Sequence, residues 1–244
     1  MYATVHSAQA ESEVISRSGA FSVVGVASSA GGLRAAGELL ASLPEDFPCP
    51  VVAVQHLPSA AKFHSLLDRV WSRHTKLRVK WAEEGEPLAP GFVFVAPQDR
   101  HIIVRPGGFV HLYSGDKING VRPAADPLFT SLAREFGARA IGVVLSGALY
   151  DGAQGAYEIA AAGGRILGQS RETAQVRDMP VAALQTGGVD FMLSPKMIAH
   201  ALVALTMAPG ADSWFRVWRK DGLRNPGRCS GPFDSAGLNA IVAS

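Results

Sequence analysis

Short, unbroken apolar runs alternate along this chain with longer stretches in which apolar residues recur every three or four positions. The runs at 21–27, 51–54 and 140–145 are short and rich in valine and other apolar residues, the pattern of parallel strands buried on both faces. After the first run, Gly31 and Gly32 open a helical pattern through Leu33, Ala36, Leu39 and Leu40 that Pro44 stops. A second helix is predicted over 60–71, where Phe63, Leu66, Leu67, Val70 and Trp71 share a face. Further helices are predicted over 126–136, from 151 or 152 to Gly163 and Gly164, over 179–185 and over 195–207, with a strand at 165–168 and an extended stretch at 189–192. In the middle, four short strands at 77–81, 91–96, 101–104 and 108–112 are separated by Pro and Gly turns. That pattern predicts small antiparallel hairpins inserted in the alternating frame.

Alternation of strand and helix from 21 to about 205 predicts an α/β fold. The expected architecture is a doubly wound, mostly parallel sheet with helices on both faces and a small antiparallel hairpin insertion. The chain is expected to divide into a polar lead (1–20), one domain (21–206) and a C-terminal arm (207–244). In the arm, Trp214, Phe215, Val217 and Trp218 cluster without a continuing element.

Composition narrows the class. At 244 residues, 48% hydrophobic and 18% charged, the chain suits a soluble globular domain with an ample core. A net charge of +2 gives no reason to expect nucleic-acid binding. No apolar run reaches the roughly 18 residues of a membrane span, and the lead lacks the apolar core of a secretory signal. Cys49 and Cys229 offer neither a disulfide framework nor metal-ligand spacing, so free thiols in a cytoplasmic protein are expected. No two of the seven histidines are spaced as a helical metal pair, and no metal or cofactor is expected.

The chemistry gathers where strands end. Ser29 follows the first run and precedes Gly31 and Gly32; His56 follows the second, and Asp151 the third. In a parallel sheet, ligands bind beyond the carboxyl ends of the strands. A serine nucleophile, a histidine base and a carboxylate to orient it make up a serine hydrolase. Each residue also has a plainer reading. Ser28 or Ser29 fits a helix N-cap, and the glycine turn fits a phosphate-binding loop. His56 fits a surface loop, and Asp151 fits an N-cap of the helix that follows it. The order Ser, His, Asp matches neither the α/β-hydrolase, chymotrypsin nor subtilisin order, so those folds lend no support.

Six ordered motifs carry a resemblance: Gly-Val-Ala-Ser-Ser-Ala-Gly-Gly (25–32), Gln-His-Leu-Pro (55–58), Ala-Pro-Gln-Asp-Arg-His (96–101), Arg-Pro-Ala-Ala-Asp-Pro-Leu-Phe (122–129), Leu-Ser-Gly-Ala-Leu-Tyr-Asp-Gly (145–152) and Asp-Met-Pro (178–180). From about 21 to 206 the chain resembles the catalytic domain of the bacterial chemotaxis methylesterases, the CheB family. The resemblance implies hydrolysis of glutamyl methyl esters on chemoreceptors, and deamidation of certain receptor glutamines. It implies Ser29 as nucleophile, His56 as base and Asp151 as its partner. Backbone N–H groups of Ala30, Gly31 and Gly32, or of Ala148, are the expected oxyanion donors, and Arg122, Arg177 and Met179 fall in motif regions that line the site.

Three departures from the family pattern stand out. Only about 20 residues precede the first strand, where the family usually carries a receiver domain, so a free-standing catalytic domain is expected, with a separate receiver protein in trans as an expected partner. Ala30 stands where threonine is usual after the nucleophile. Leu149 and Tyr150 stand where glycine and asparagine are common, which bears on substrate choice. The competing readings are a serine esterase or amidase of another pathway, an inactive docking module and a nucleotide-binding loop. Intact Ser29, His56 and Asp151 speak against the docking module.

Overall fold

Seven strands form one sheet in which every neighbouring pair is parallel. This is a computed structural model, and it describes residues 22–57 and 66–207. The strands are β1 (Val23–Ser28), β2 (Val51–Gln55), β3 (Arg78–Trp81), β4 (Phe92–Val95), β5 (His101–Arg105), β6 (Phe109–Tyr113), β7 (Ala140–Val144), β8 (Arg165–Gln169) and β9 (Phe191–Leu193). The helices are α1 (Gly32–Ala41), α2 (Leu67–Ser72), α3 (Ala125–Phe136), α4 (Ala153–Ala161), α5 (Asp178–Gln185) and α6 (Pro195–Met207). The sheet runs β3-β4-β2-β1-β7-β8-β9, and β5 and β6 pair separately, antiparallel.

The apolar runs explain the order. Every residue of β1, β2, β7 and β8 is buried, as central parallel strands require. The edge strands β3 and β9 are only partly covered. Two cores flank the sheet. Leu39, Leu40, Phe47, Trp71 and Leu202 pack on one face, under α1, α2 and α6. Phe94, Ile102, Phe129, Leu132 and Ile159 pack on the other, under α3, α4 and the β5–β6 hairpin. The expected two-sided α/β sheet with one small hairpin is therefore present.

One expectation is corrected. The strands predicted at 77–81 and 91–96 form no antiparallel hairpin; as β3 and β4 they join the main sheet, parallel to one another. Their connection crosses over without a helix because its backbone finds partners elsewhere. The Gly85 N–H donates to Val110 O, Val110 N–H to Glu86 O and Leu88 N–H to Gly108 O, at 2.8 to 2.9 Å. The connection thus lies along the β5–β6 hairpin and satisfies its polar groups there.

The helix predicted over 60–71 is described only from its last part, Leu67–Ser72. The lead, the aromatic cluster of the arm and Cys229 lie outside the described residues. Cys49 is buried, and burial pushes its thiol up to about 12. Among the described residues no helix is long and apolar enough to cross a membrane. Strand order reverses between β1, which leads to β2 and β4, and β7, which leads to β8 and β9. The crevice of such a sheet opens at that reversal, and Ser29 sits beside it.

Candidate active site

Ser29 and His56 stand side by side because their strands are in register. Ser28 pairs with Gln55 across β1 and β2, and the His56 N–H donates to Ser28 O at 2.9 Å. Gln55 fastens the pair. Its side-chain amide nitrogen donates to the carbonyls of both Ser29 and His56, each at 2.9 Å. Its Oε1 accepts the Ser28 hydroxyl at 2.7 Å. From the other side, the Ser29 N–H donates to Ser146 O at 2.9 Å, and the Ser146 hydroxyl donates to Ala30 O at 2.7 Å. The chain then turns at Gly31, in the left-handed region at φ 77, where a side chain would also meet Gln175 and Ser146.

The N-cap reading of the serines does not hold. Gly31 is the N-cap residue of α1 and no side chain caps it; the Ser28 hydroxyl is engaged by Gln55 instead.

Asp151 reaches His56 from the loop after β7. His56 Nε2 and Asp151 Oδ2 are 2.8 Å apart, with the aspartate side chain only 2% exposed. Oδ2 also accepts the Ala125 N–H at 2.6 Å. Oδ1 accepts Asn119 Nδ2 at 2.9 Å and the Asp126 N–H at 3.3 Å. The alternative N-cap reading of Asp151 does not hold, because Gly152 begins α4 without a side-chain cap. Asp151 instead meets the first N–H groups of α3, a different helix, which lack intrahelical partners. Burial pushes its carboxyl up. The His56 hydrogen bond and charge, the Ala125 N–H and Asn119 together outweigh burial and hold it below its ordinary value. Asp151 is therefore an anion at neutral pH, suited to fixing an imidazole and stabilising its protonated form.

Nε2 faces Asp151, and Nδ1 takes no part in that bond. The Ser29 hydroxyl and the His56 ring make no hydrogen bond among the described residues. Such bonds are often long before a substrate is seated.

The expected oxyanion donors separate into two groups. Gly32 is engaged, since its N–H donates to Ser29 O at 2.9 Å. The N–H groups of Ala30, Gly31 and Ala148 have no acceptor among the described residues. Ala30 and Ala148 are exposed.

Met179 is wholly buried, and its N–H donates to Gly147 O at 3.0 Å. A Cβ at Gly147 would lie 2.1 Å from Met179 Sδ and 2.8 Å from Ser29 Cβ. Met179 thus packs beneath the site rather than touching a substrate. The Arg122 guanidinium holds Asp99 Oδ1 through Nε and Nη2, at 2.9 and 2.6 Å, and Gly115 O through Nη1. It braces the 99–122 region. Arg177 is exposed just before α5.

Leu149 has φ 66 and is 57% exposed. A left-handed leucine costs roughly 1–2 kcal/mol, a cost glycine would not carry. Sequence reasoning missed Gln55, Asn119, Asp126 and Ser146 as functional neighbours. For Gln55 a signal existed: it is the one long polar side chain ending an otherwise apolar buried strand.

A family model, CheB methylesterase, matches residues 24–202. The protein-glutamate methylesterase/protein-glutamine glutaminase of Thermotoga maritima is 36% identical over 186 residues, which is 75% of this chain and 54% of that protein. The protein-glutamate methylesterase FrzG of Myxococcus xanthus is 38% identical over 183 residues, again 75% of this chain and 54% of that protein. The chain thus spans about half the length of these relatives. The crystal structure of the Thermotoga maritima CheB methylesterase catalytic domain superposes with a TM-score of 0.71 at 35% identity, covering 75% of this chain and 97% of that one. The chain belongs to the CheB methylesterase family.

Proposed function

We propose that the protein is a protein-glutamate methylesterase that hydrolyses glutamyl methyl esters on a methylated chemoreceptor, with Ser29 as nucleophile. The observation that carries this reading is the 2.8 Å bond between His56 and an anionic, buried Asp151, made beside Ser29 at one sheet edge. His56 Nδ1 takes the Ser29 proton as Oγ attacks the ester carbonyl. The N–H groups of Ala30, Gly31 and Ala148 receive the oxyanion. The protonated His56 passes its proton to the leaving methoxide, so methanol departs and an acyl-serine remains. Water, deprotonated by His56, then attacks the acyl-serine, releasing the glutamate carboxylate and restoring Ser29. A glutamine side chain entering the same way would release ammonia, so deamidation needs no further groups. Ordered substrate donors of this kind are each worth about 100- to 1000-fold in rate.

The relatives' names and the family match support the substrate. The exposed Leu149 and the neighbouring Tyr150 support a second reading, an esterase or amidase of another signalling pathway, because with Ala30 they depart from the family pattern at the site. A separate receiver protein acting in trans fits either reading, and so does a cytoplasmic location. Methanol release from a methylated chemoreceptor, compared between wild type and Ser29→Ala, tests the proposal. Release that vanishes in the variant supports it. Wild-type labelling at Ser29 by a fluorophosphonate, without methanol release, favours the second reading. Absence of both overturns the hydrolase.

A further inference from the structure

Two side chains around Asp151 take no direct part in the steps above. Asn119 sits in the left-handed region at φ 53, a conformation asparagine tolerates better than most residues. It lies in a bend closed by paired hydrogen bonds between Ile118 and Val121 at 3.1 and 3.0 Å. Its amide nitrogen is 2.6 Å from Asp126 Oδ2 and 2.9 Å from Asp151 Oδ1. Both partners only accept, so one amide hydrogen goes to each carboxylate. Asp126, in the first turn of α3, also accepts the Gly155 N–H on Oδ1 at 2.8 Å.

We propose that Asn119 and Asp126 are positioning residues for the hydrolysis: Asn119 spans the two carboxylates and fixes the plane of Asp151 so that Oδ2 is presented to His56, and Asp126 fixes Asn119. This rests on the reading of Ser29, His56 and Asp151 given above. Without Asn119, Asp151 Oδ1 would keep only the longer 3.3 Å bond from the Asp126 N–H. Donors on Oδ1 (Asn119 and the Asp126 N–H) and on Oδ2 (His56 and the Ala125 N–H) hold it from both ends. Asn119 can serve only while its second hydrogen has an acceptor, and Asp126 is that acceptor. Misplacing a reacting group by about 1 Å can cost about 100-fold in rate.

The arrangement brings two carboxylates to one amide, and this gives it a signature. Burial and the Asp151 charge push the Asp126 carboxyl up to about 6. The titratable groups facing it are Asp151 and, behind it, His56 from the strand-end loops. From β5 comes His101, whose Nδ1 accepts the Ala124 N–H at 3.2 Å; α4 offers the Gly155 N–H. A proton on Asp126 turns an acceptor into a donor and weakens its hold on Asn119. The acid limb of the reaction therefore reports Asp126.

The test is the rate of Ser29 labelling by a fluorophosphonate, resolved into its maximal rate and its half-saturating concentration, from about pH 5 to 9. It uses the full chain and needs no receptor. Asn119→Ala is expected to lower the maximal rate by about 10- to 100-fold with half-saturation nearly unchanged. Asp126→Asn removes a titrating group, so its acid limb moves to lower pH. A wild-type maximal rate in Asn119→Ala, or an unmoved acid limb in Asp126→Asn, overturns the proposal. If Asn119→Ala does not fold, the near-isosteric Asp126→Asn decides alone. Labelling that survives Ser29→Ala means that the nucleophile has been misassigned. Labelling lost in Ser29→Ala, with both other variants like wild type, means that only the positioning role is wrong.

Discussion

Two turns meet at the candidate site, and they are built differently. The turn after β1, carrying Ser29, is tied by buried groups on both sides: Gln55 from β2 and Ser146 from the β7 end. Its left-handed position is occupied by Gly31. The turn after β7, at 147–152, is anchored at its ends, by Gly147 over Met179 and by Asp151 on α3. Between these anchors it carries an exposed Leu149 in a left-handed conformation. On the proposed function, the first turn holds a group whose placement sets the rate. The second holds a fixed carboxylate and, a residue or two away, a rim that tolerates strain and a change of side chain. Chemistry and selectivity are thus assigned to differently constrained parts of one edge.

The largest test of this contrast is Ser29→Ala, which should lower kcat by about 10⁴-fold or more while leaving the thermal midpoint nearly unchanged. Gln55→Leu comes next. It removes both donors to the Ser29 and His56 carbonyls and the acceptor of the Ser28 hydroxyl. Leaving buried polar groups unpaired costs about 1–3 kcal/mol each where they cannot reach water. A fall in Tm of at least about 5 °C, together with about a tenfold fall in kcat, is expected; a wild-type melt would show that the Ser29 turn holds itself.

Asp126→Asn gives a smaller effect whose sign depends on pH. Because the Asp126 carboxyl is raised to about 6, its ionised form weighs against the folded state above that pH. That penalty disappears as the group protonates on the way down towards its unfolded value. The difference in Tm, variant minus wild type, should therefore be more positive at about pH 8 than at about pH 5. Asp151 behaves oppositely: its lowered value adds stability at neutral pH that is lost on acidification. Leu149→Gly should have the smallest effect, a gain of about 0.5–1 kcal/mol in stability from relief of the left-handed leucine. If the rim governs selectivity, KM for a methylated receptor changes while kcat stays within about twofold. A large fall in kcat would place Leu149 among the groups that set the rate.

Much of this architecture was legible in the sequence, for identifiable reasons. The apolar runs at β1, β2 and β7 are too short and too continuous for amphipathic helices, and the residues following them carry the candidate chemistry. Periodicity failed where long-range partners decide. Nothing local to 77–96 says that the connection between β3 and β4 will lie against β6 and leave both strands parallel. Nor does local sequence show that Asp151 meets α3 rather than the helix beginning two residues later. The Asn119 contacts bridge three separate segments, so no spacing rule predicts them. The burial of Met179 follows from Gly147 lacking a side chain, a fact about packing between distant residues.

Asp151 closes the first turn of α3 as well as facing His56, and this has a consequence for descent. A lineage that no longer needed hydrolysis could lose Ser29 at little cost to its architecture. It could not lose Asp151 so easily, because Ala125 and Asp126 would be left without their acceptor. On the proposed function, the aspartate of a kindred chain would be a poor marker of living enzymes, having two reasons to be kept. The serine, kept for one, is the better witness.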